Sequence, residues 1–250
     1  MGPGRISRRE TMSDAGHATL YRTIDAERVI ATAEQLEARI SDRFPDSGLR
    51  KVAAELIRLA RDIASQSAAL EAPIYGLRYL TAGTALLGIV IIGFVMTILS
   101  FDSISTGAFD FVQGIESTLN TLLLVGLGMI TLSQLEIRLK RRRVFDGLHQ
   151  LRSMIHVIDM HQLTKDPATL RGDFQPSKHS PARVLSAADL SRYLDYCSEM
   201  LSVTGKLAAL YAQSVNDDVV VGAVNGIEEL GTNLSRKIWQ KITLIADVNE

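Results

Sequence analysis

Apolar positions along this chain change spacing several times, and each change marks an element. Val29, Ala33, Leu36 and Ile40 recur at helical spacing until Phe44-Pro45-Asp46-Ser47-Gly48 breaks the pattern. Leu49, Val52, Leu56, Leu59, Ala60 and Ile63 then resume it on one face, which predicts a helical hairpin with a Pro/Gly turn. Tyr79–Leu99 follows, 21 residues with no ionisable side chain, and after 17 intervening residues comes Ser117–Leu135, 19 residues interrupted by Thr118, Asn120, Thr121, Thr131 and Ser133. A bilayer core about 30 Å thick needs roughly 20 helical residues, so both read as transmembrane helices.

Beyond the second stretch, Val144, Leu148, Leu151, Ile155 and Ile158 form a seam suited to a partner helix. Thr164–Leu185 holds Pro167, Pro176, Pro181 and Gly172 and reads as an exposed loop. Ser186 is placed to cap a helix carrying Leu190, Leu194, Cys197, Leu201, Thr204, Ala208 and Tyr211 at 4, 3 alternation. Asn216-Asp217-Asp218 opens a last helix with Val220, Ile227, Leu230, Leu234, Ile238, Ile242 and Ile245 on one face. No segment alternates with period 2 beyond a few residues.

The expected class is therefore all-α: a two-helix transmembrane hairpin with a cytoplasmic helical bundle formed by the N- and C-terminal segments. The expected organisation is a disordered N-terminus at 1–22, a cytoplasmic helical hairpin at 23–77, and transmembrane helix 1 at 78–100. A short external loop at 101–116 and transmembrane helix 2 at 117–135 follow. A basic collar and cytoplasmic helix at 136–164, a loop at 165–185 and a C-terminal helical pair at 186–250 complete it. The one-sided faces are covered either within one chain or between subunits, since both kinds of seam share one pattern.

Charge sets the orientation. Net charge is −1, yet residues 1–77 balance 11 basic against 11 acidic groups, 136–185 carry ten against five, and 186–250 carry five against nine. The connecting segment Phe101–Glu116 has Asp102, Asp110 and Glu116 and no Lys or Arg, while Arg138, Lys140, Arg141, Arg142 and Arg143 follow the second stretch. Positive charge stays on the cytoplasmic side, so both termini are expected there. That collar is an ordinary stop-transfer signal or a site for anionic lipid headgroups. The first stretch lies too far into the chain for a secretory signal, and Ile6 stands where myristoylation wants Ser or Thr. Met12 is an alternative start.

Candidate chemistry is sparse. Three of five histidines fall between His149 and His161. His149 and His156 lie about 10.5 Å apart along a helix axis, too far to share an ion. His156, Asp159 and His161 remain as weak metal candidates needing ligands from elsewhere, and a hydrogen-bonded His156–Asp159 pair is the plainer expectation. The single Cys197 falls in an apolar seam and reads as core. Walker, nucleophile-elbow and dinucleotide motifs are missing, as is any basic-aromatic reader of nucleic acid. No catalytic residue and no cofactor is expected. Trp239, on a basic helix, fits either a bundle contact or a membrane-surface contact. Within the two spans Thr84, Gly88, Thr121, Gly128 and Thr131 are small enough for close helix packing.

Leu148–Pro167, with its Leu-His-Gln-Leu-Arg-Ser core and Ile-Asp-Met-His-Gln-Leu-Thr-Lys-Asp-Pro ending, resembles an uncharacterised family of bacterial inner-membrane proteins with two transmembrane helices and a helical cytoplasmic region. Leu234–Ile242 is similar to the same group. The resemblance implies an inner-membrane setting and brings no activity. In arrangement alone the chain is also similar to two-span effectors thought to form pores in bacterial defence. The expected function is self-association or protein interaction through the heptad-like seams, as a homo-oligomer or with a membrane-protein partner. An oligomeric pore and a metal-dependent membrane enzyme are the alternatives.

Overall fold

The computed structural model describes residues 23–101, 108–170, 174–175, 177–180 and 185–248. Within them the chain is all-α and has no strand: α1 (Ala26–Arg43), α2 (Gly48–Glu71), α3 (Tyr75–Phe101), α4 (Ala108–Leu163), a 3-10 turn (Pro167–Leu170), α5 (Ala187–Ser214) and α6 (Asp218–Val248). Residues 1–22, expected to be disordered, lie outside the described residues, as does most of 171–184.

Helix starts follow local chemistry. Asp25 caps α1, its carboxylate accepting from the Glu27 and Arg28 amides at 3.0 and 3.4 Å. Ser186 caps α5 by accepting from the Asp189 amide at 3.1 Å. Asp217 receives the Val219 and Val220 amides at the head of α6. Each cap satisfies N–H groups that the first turn leaves without partners.

The chain divides into two compact units, residues 1–71 with 143–250, and residues 72–142. The first is a helical bundle. Ile40, Leu56 and Ile63 from the α1–α2 hairpin, Leu151 and Ile155 from α4, Leu194 and Leu201 from α5, and Ile227 and Ile238 from α6 share one core. Five of the seven α5 seam positions, Leu194, Cys197, Thr204, Ala208 and Tyr211, are fully enclosed. Both seams are thus covered by helices of the same chain. Heptad spacing specifies a neighbour without specifying whose it is, and among the described residues the neighbours of both seams belong to the same chain.

The second unit is an antiparallel pair, α3 and the N-terminal part of α4. Thr118, Thr121, Val125, Gly128, Leu132 and Glu136 of α4 are half-buried at 3, 4, 3, 4, 4 spacing, while Leu119, Leu122, Leu123 and Leu127 are exposed. Two helical stretches, one inside Gly48–Phe94 and one inside Val112–Leu170, are long and apolar enough to cross a membrane, and those windows are almost wholly exposed. A core helix of a water-soluble protein would show the opposite.

Three expectations need correction. The segment 101–116 is not all loop, because α4 begins at Ala108. Hydropathy locates where polar residues begin, whereas a helix runs until its hydrogen bonding is interrupted, and no proline stands between 108 and 163. The proline-rich 165–185 segment contains an ordered turn: Pro167 is buried, and Asp166 accepts from the Ala168 amide at 2.9 Å. Trp239 is no bundle contact, being 62% exposed.

Candidate functional site

Two clusters of polar and charged groups stand out, one in each unit. In the helix pair, Glu136 is the organising residue. Its Oε1 accepts from the backbone N–H of Ile74 at 3.5 Å, just ahead of α3, and lies 3.5 Å from Lys140 Nζ. The carboxylate therefore ties the start of α3 to α4 at the collar. Farther along, a Cβ on Gly88 would fall 2.8 Å from Val125 Cγ2, and one on Gly128 would lie 3.6 Å from Thr84 Cγ2. Gly88 is thus the point where the two backbones approach, and Val125 is the partner that spacing alone did not single out. Of the other packing candidates, Thr121 is half-buried and Thr131 is exposed; each donates its hydroxyl to a carbonyl four residues back. Those bonds satisfy the hydroxyls without a second helix, so Thr131 is not a packing contact.

The collar residues occupy consecutive turns of α4. At about 100° per residue they spread round the whole helix. Arg138, Arg142 and Arg143 are exposed, Lys140 is partnered by Glu136, and Arg141 is half-buried with an interaction of its own. Tyr75 and Tyr79, one turn apart at the head of α3, are 63% and 75% exposed. Exposed tyrosines at the end of an apolar helix are typical of a membrane–water interface, where the ring is buried and the hydroxyl is wet.

The second cluster, in the bundle, closes the last turn of α4. Gln162 is buried; its amide Nε2 donates to Asp159 Oδ1 at 2.6 Å. Lys241 Nζ, from α6, donates to the Gln162 carbonyl at 2.9 Å and to Gln162 Oε1 at 2.7 Å. An ammonium on the final carbonyls of a helix satisfies unpaired acceptors and suits the negative end of the helix dipole. Burial pushes the Lys241 pKa down, and Asp166 and Asp159 oppose that. On the other flank His161 Nδ1 stands 3.3 Å from the Tyr193 hydroxyl of α5. Its ring closes over the first residue of α2, where a Cβ on Gly48 would sit 2.6 Å from Cε1. Lys165 Nζ lies 4.9 Å from the Tyr193 ring centroid, a cation–π distance. One helical turn is thereby fastened to α2, α5 and α6.

This arrangement reassigns the histidine segment. His156 is exposed and Asp159 serves Gln162, so the expected His156–Asp159 pair does not form. His161 faces another element again, and among the described residues no three His, Cys, Asp or Glu converge on a point that would hold a metal ion. Cys197 is enclosed, and burial pushes its thiol up to about 12, far from a nucleophile's range. No protein-family model, curated protein or solved structure matches the chain. Its chemistry has to be read from its own residues. Gln162 and Lys241 escaped sequence reading because they lie 79 residues apart on separate helices; a glutamine at an otherwise apolar seam position was the available signal.

His161 gives the bundle a pH dependence with a definite sign. Burial first, and the Lys165 charge second, hold its pKa below the ordinary 6.5. The unfolded chain then binds a proton more readily than the folded one, so stability is full above pH 6.5 and is lost as pH falls through the folded value. The charged group beside the ring is Lys165, which repels a second cation, while the Tyr193 hydroxyl is its neutral neighbour. Thermal unfolding followed by circular dichroism should show the midpoint dropping between pH 7 and pH 5. His161→Gln should flatten that slope, and an unchanged slope would remove His161 as its source.

Proposed function

We propose that this chain is an integral protein of the bacterial inner membrane, with both ends cytoplasmic, whose bundle acts through protein interaction and self-association and not through catalysis. The observation that carries the reading is the exposure of two long, uncharged helical stretches, the first bordered by Tyr75, Arg78 and Tyr79 and the second by the basic collar. Leaving that much apolar surface in water is strongly unfavourable, whereas in lipid it is the ground state. The acidic, Lys- and Arg-free connection at 101–116 and the collar behind α4 supply the orientation. The resemblance of Leu148–Pro167 to bacterial two-span proteins supports the setting.

Interaction by this protein would use outward surfaces, since the bundle's seams are filled internally. The α4 C-terminal turn, fastened to three other helices, is the segment that would couple the membrane part to the bundle. The native mass in a mild detergent tests self-association: a defined homo-oligomer is the expected result. A monomer at all concentrations, with no co-purifying membrane protein, would overturn it.

A further inference from the structure

One face of α4 is shaped like a phospholipid. Leu124, Leu127, Thr131, Leu135, Arg138 and Arg142 recur at 3, 4, 4, 3, 4 spacing, and all six are exposed. At about 100° per residue this face lies roughly a quarter to a third of a turn round α4 from the half-buried positions Val125, Leu132 and Glu136. Its apolar part, Leu124 to Leu135, is about 17 Å long at 1.5 Å per residue, close to the half-thickness of a hydrocarbon core about 30 Å across. Two guanidinium groups stand directly at its end. They are one turn apart, about 6 Å along the axis, so both reach a single anionic group.

Nothing among the described residues uses them. Among the described residues neither Arg138 nor Arg142 makes an ion pair; the nearby Glu136 is on another side of α4 and already serves Lys140 and the Ile74 amide. Asp146, one turn beyond Arg142, is not bonded to it. The Ile74–Glu136 contact also sets the level: it brings the exposed Tyr75 and Tyr79 to the apolar side of the two arginines. Tyrosines at the carbonyl depth and arginines one step farther out match the layering of a leaflet.

We propose that this face is a binding site for an anionic phospholipid, with the acyl chains along Leu124–Leu135 and the phosphate between Arg138 and Arg142. Arginine suits the phosphate because its planar fork donates two parallel hydrogen bonds, and the phosphate oxygens accept them. Phosphatidylcholine carries a choline cation beside its phosphate and phosphatidylglycerol carries none, so phosphatidylglycerol should be preferred. The site rests on the membrane reading above, and its occupant is a lipid because a soluble phosphate would leave the apolar stripe unused.

The test uses the full chain reconstituted into bilayers of equal phosphatidylglycerol and phosphatidylcholine, re-extracted in mild detergent, with retained lipid counted by native mass spectrometry. Wild type should retain phosphatidylglycerol several-fold above the input ratio. Each arginine contributes about fivefold in affinity, so Arg138→Gln with Arg142→Gln should return retention to the input ratio. Arg236→Gln with Lys237→Gln, on the exposed face of α6, should leave the enrichment intact. Millimolar glycerol 1-phosphate should not displace the lipid, because it lacks the chains. Retention at the input ratio by wild type, enrichment surviving the double arginine change, or displacement by glycerol 1-phosphate would each overturn the proposal. Protein that never enters the bilayers would overturn the membrane reading itself, which is a separate and visible failure.

Discussion

Gly147→Ala should destabilise the bundle by about 2 kcal/mol, despite placing a better helix former inside a helix. Gly147 lies in α4 beneath the Tyr211 ring, and an added Cβ would meet the Tyr211 hydroxyl and stand 2.6 Å from Cζ. Real side-chain carbons do not approach so closely, so something must move. The ring has little freedom: Tyr211 is fully enclosed, and its hydroxyl donates to Gln66 Oε1 of α2 at 2.8 Å. Burial also holds the phenol neutral, its pKa pushed up to about 12, so the donor is present throughout the accessible pH range.

Two effects compete at this position. Alanine improves intrinsic helix propensity by about 1 kcal/mol, and overpacking a closed interface costs about 1–3 kcal/mol. Loss of the hydrogen bond to Gln66 adds about 1 kcal/mol, so packing wins. Denaturant unfolding of the detergent-solubilised protein would measure it. The diagnostic variant is Tyr211→Phe in the Gly147→Ala background, which removes the nearest clashing atom. It should recover part of the loss, giving a coupling of about 1 kcal/mol between the two sites. A Gly147→Ala protein as stable as wild type, or additivity in the double variant, would show that the close approach is not energetically important.

Ile89→Arg should remove the protein from the membrane fraction or lower its abundance severely. Ile89 lies at the middle of the first apolar stretch and is 67% exposed. If that surface faced water, an arginine there would be nearly neutral, within about 0.5 kcal/mol like most surface substitutions. Facing hydrocarbon, it costs about 3 kcal/mol on insertion scales, and the favourable isoleucine contribution is lost as well. The difference separates the two environments by roughly a hundredfold in partitioning. Carbonate-washed membranes probed for the protein would show it. Arg236→Ile, a change in the opposite direction on an exposed face of α6, should leave fractionation untouched. Equal membrane retention of Ile89→Arg and wild type would sink the transmembrane assignment of α3.

Much of the local structure was legible because it depends on residues close in sequence. The Phe44–Gly48 break between α1 and α2 follows from a proline and a glycine among polar residues. The Ser186 and Asp217 caps were equally readable, since each bonds an amide two or three residues ahead. Apolar spacing on α5 and α6 named the enclosed positions, with Leu190, Leu194, Leu201, Leu234 and Ile238 all in the core. The 101–116 segment was misread because hydropathy reports solvent and not hydrogen bonding.

The candidate site was less legible. Histidines at 149, 156 and 161 suggested shared chemistry, but they point to different surroundings, and only His161 meets another element. The same helix face logic that grouped them could not say which neighbour each would meet. Gly147 looked like any glycine in a helix until Tyr211, 64 positions later, closed over it.

By itself the sequence determined the helical class, the turns and caps, and two stretches apolar enough to cross a bilayer, because each depends on interactions within a few residues or on composition. Only the tertiary structure decided that the seams close within one chain, that Lys241 and Gln162 fasten the end of α4, and that Gly88 and Gly147 admit Val125 and Tyr211. Those outcomes depend on which helices become neighbours, and a periodic apolar face states that a partner is needed without carrying the shape that selects it.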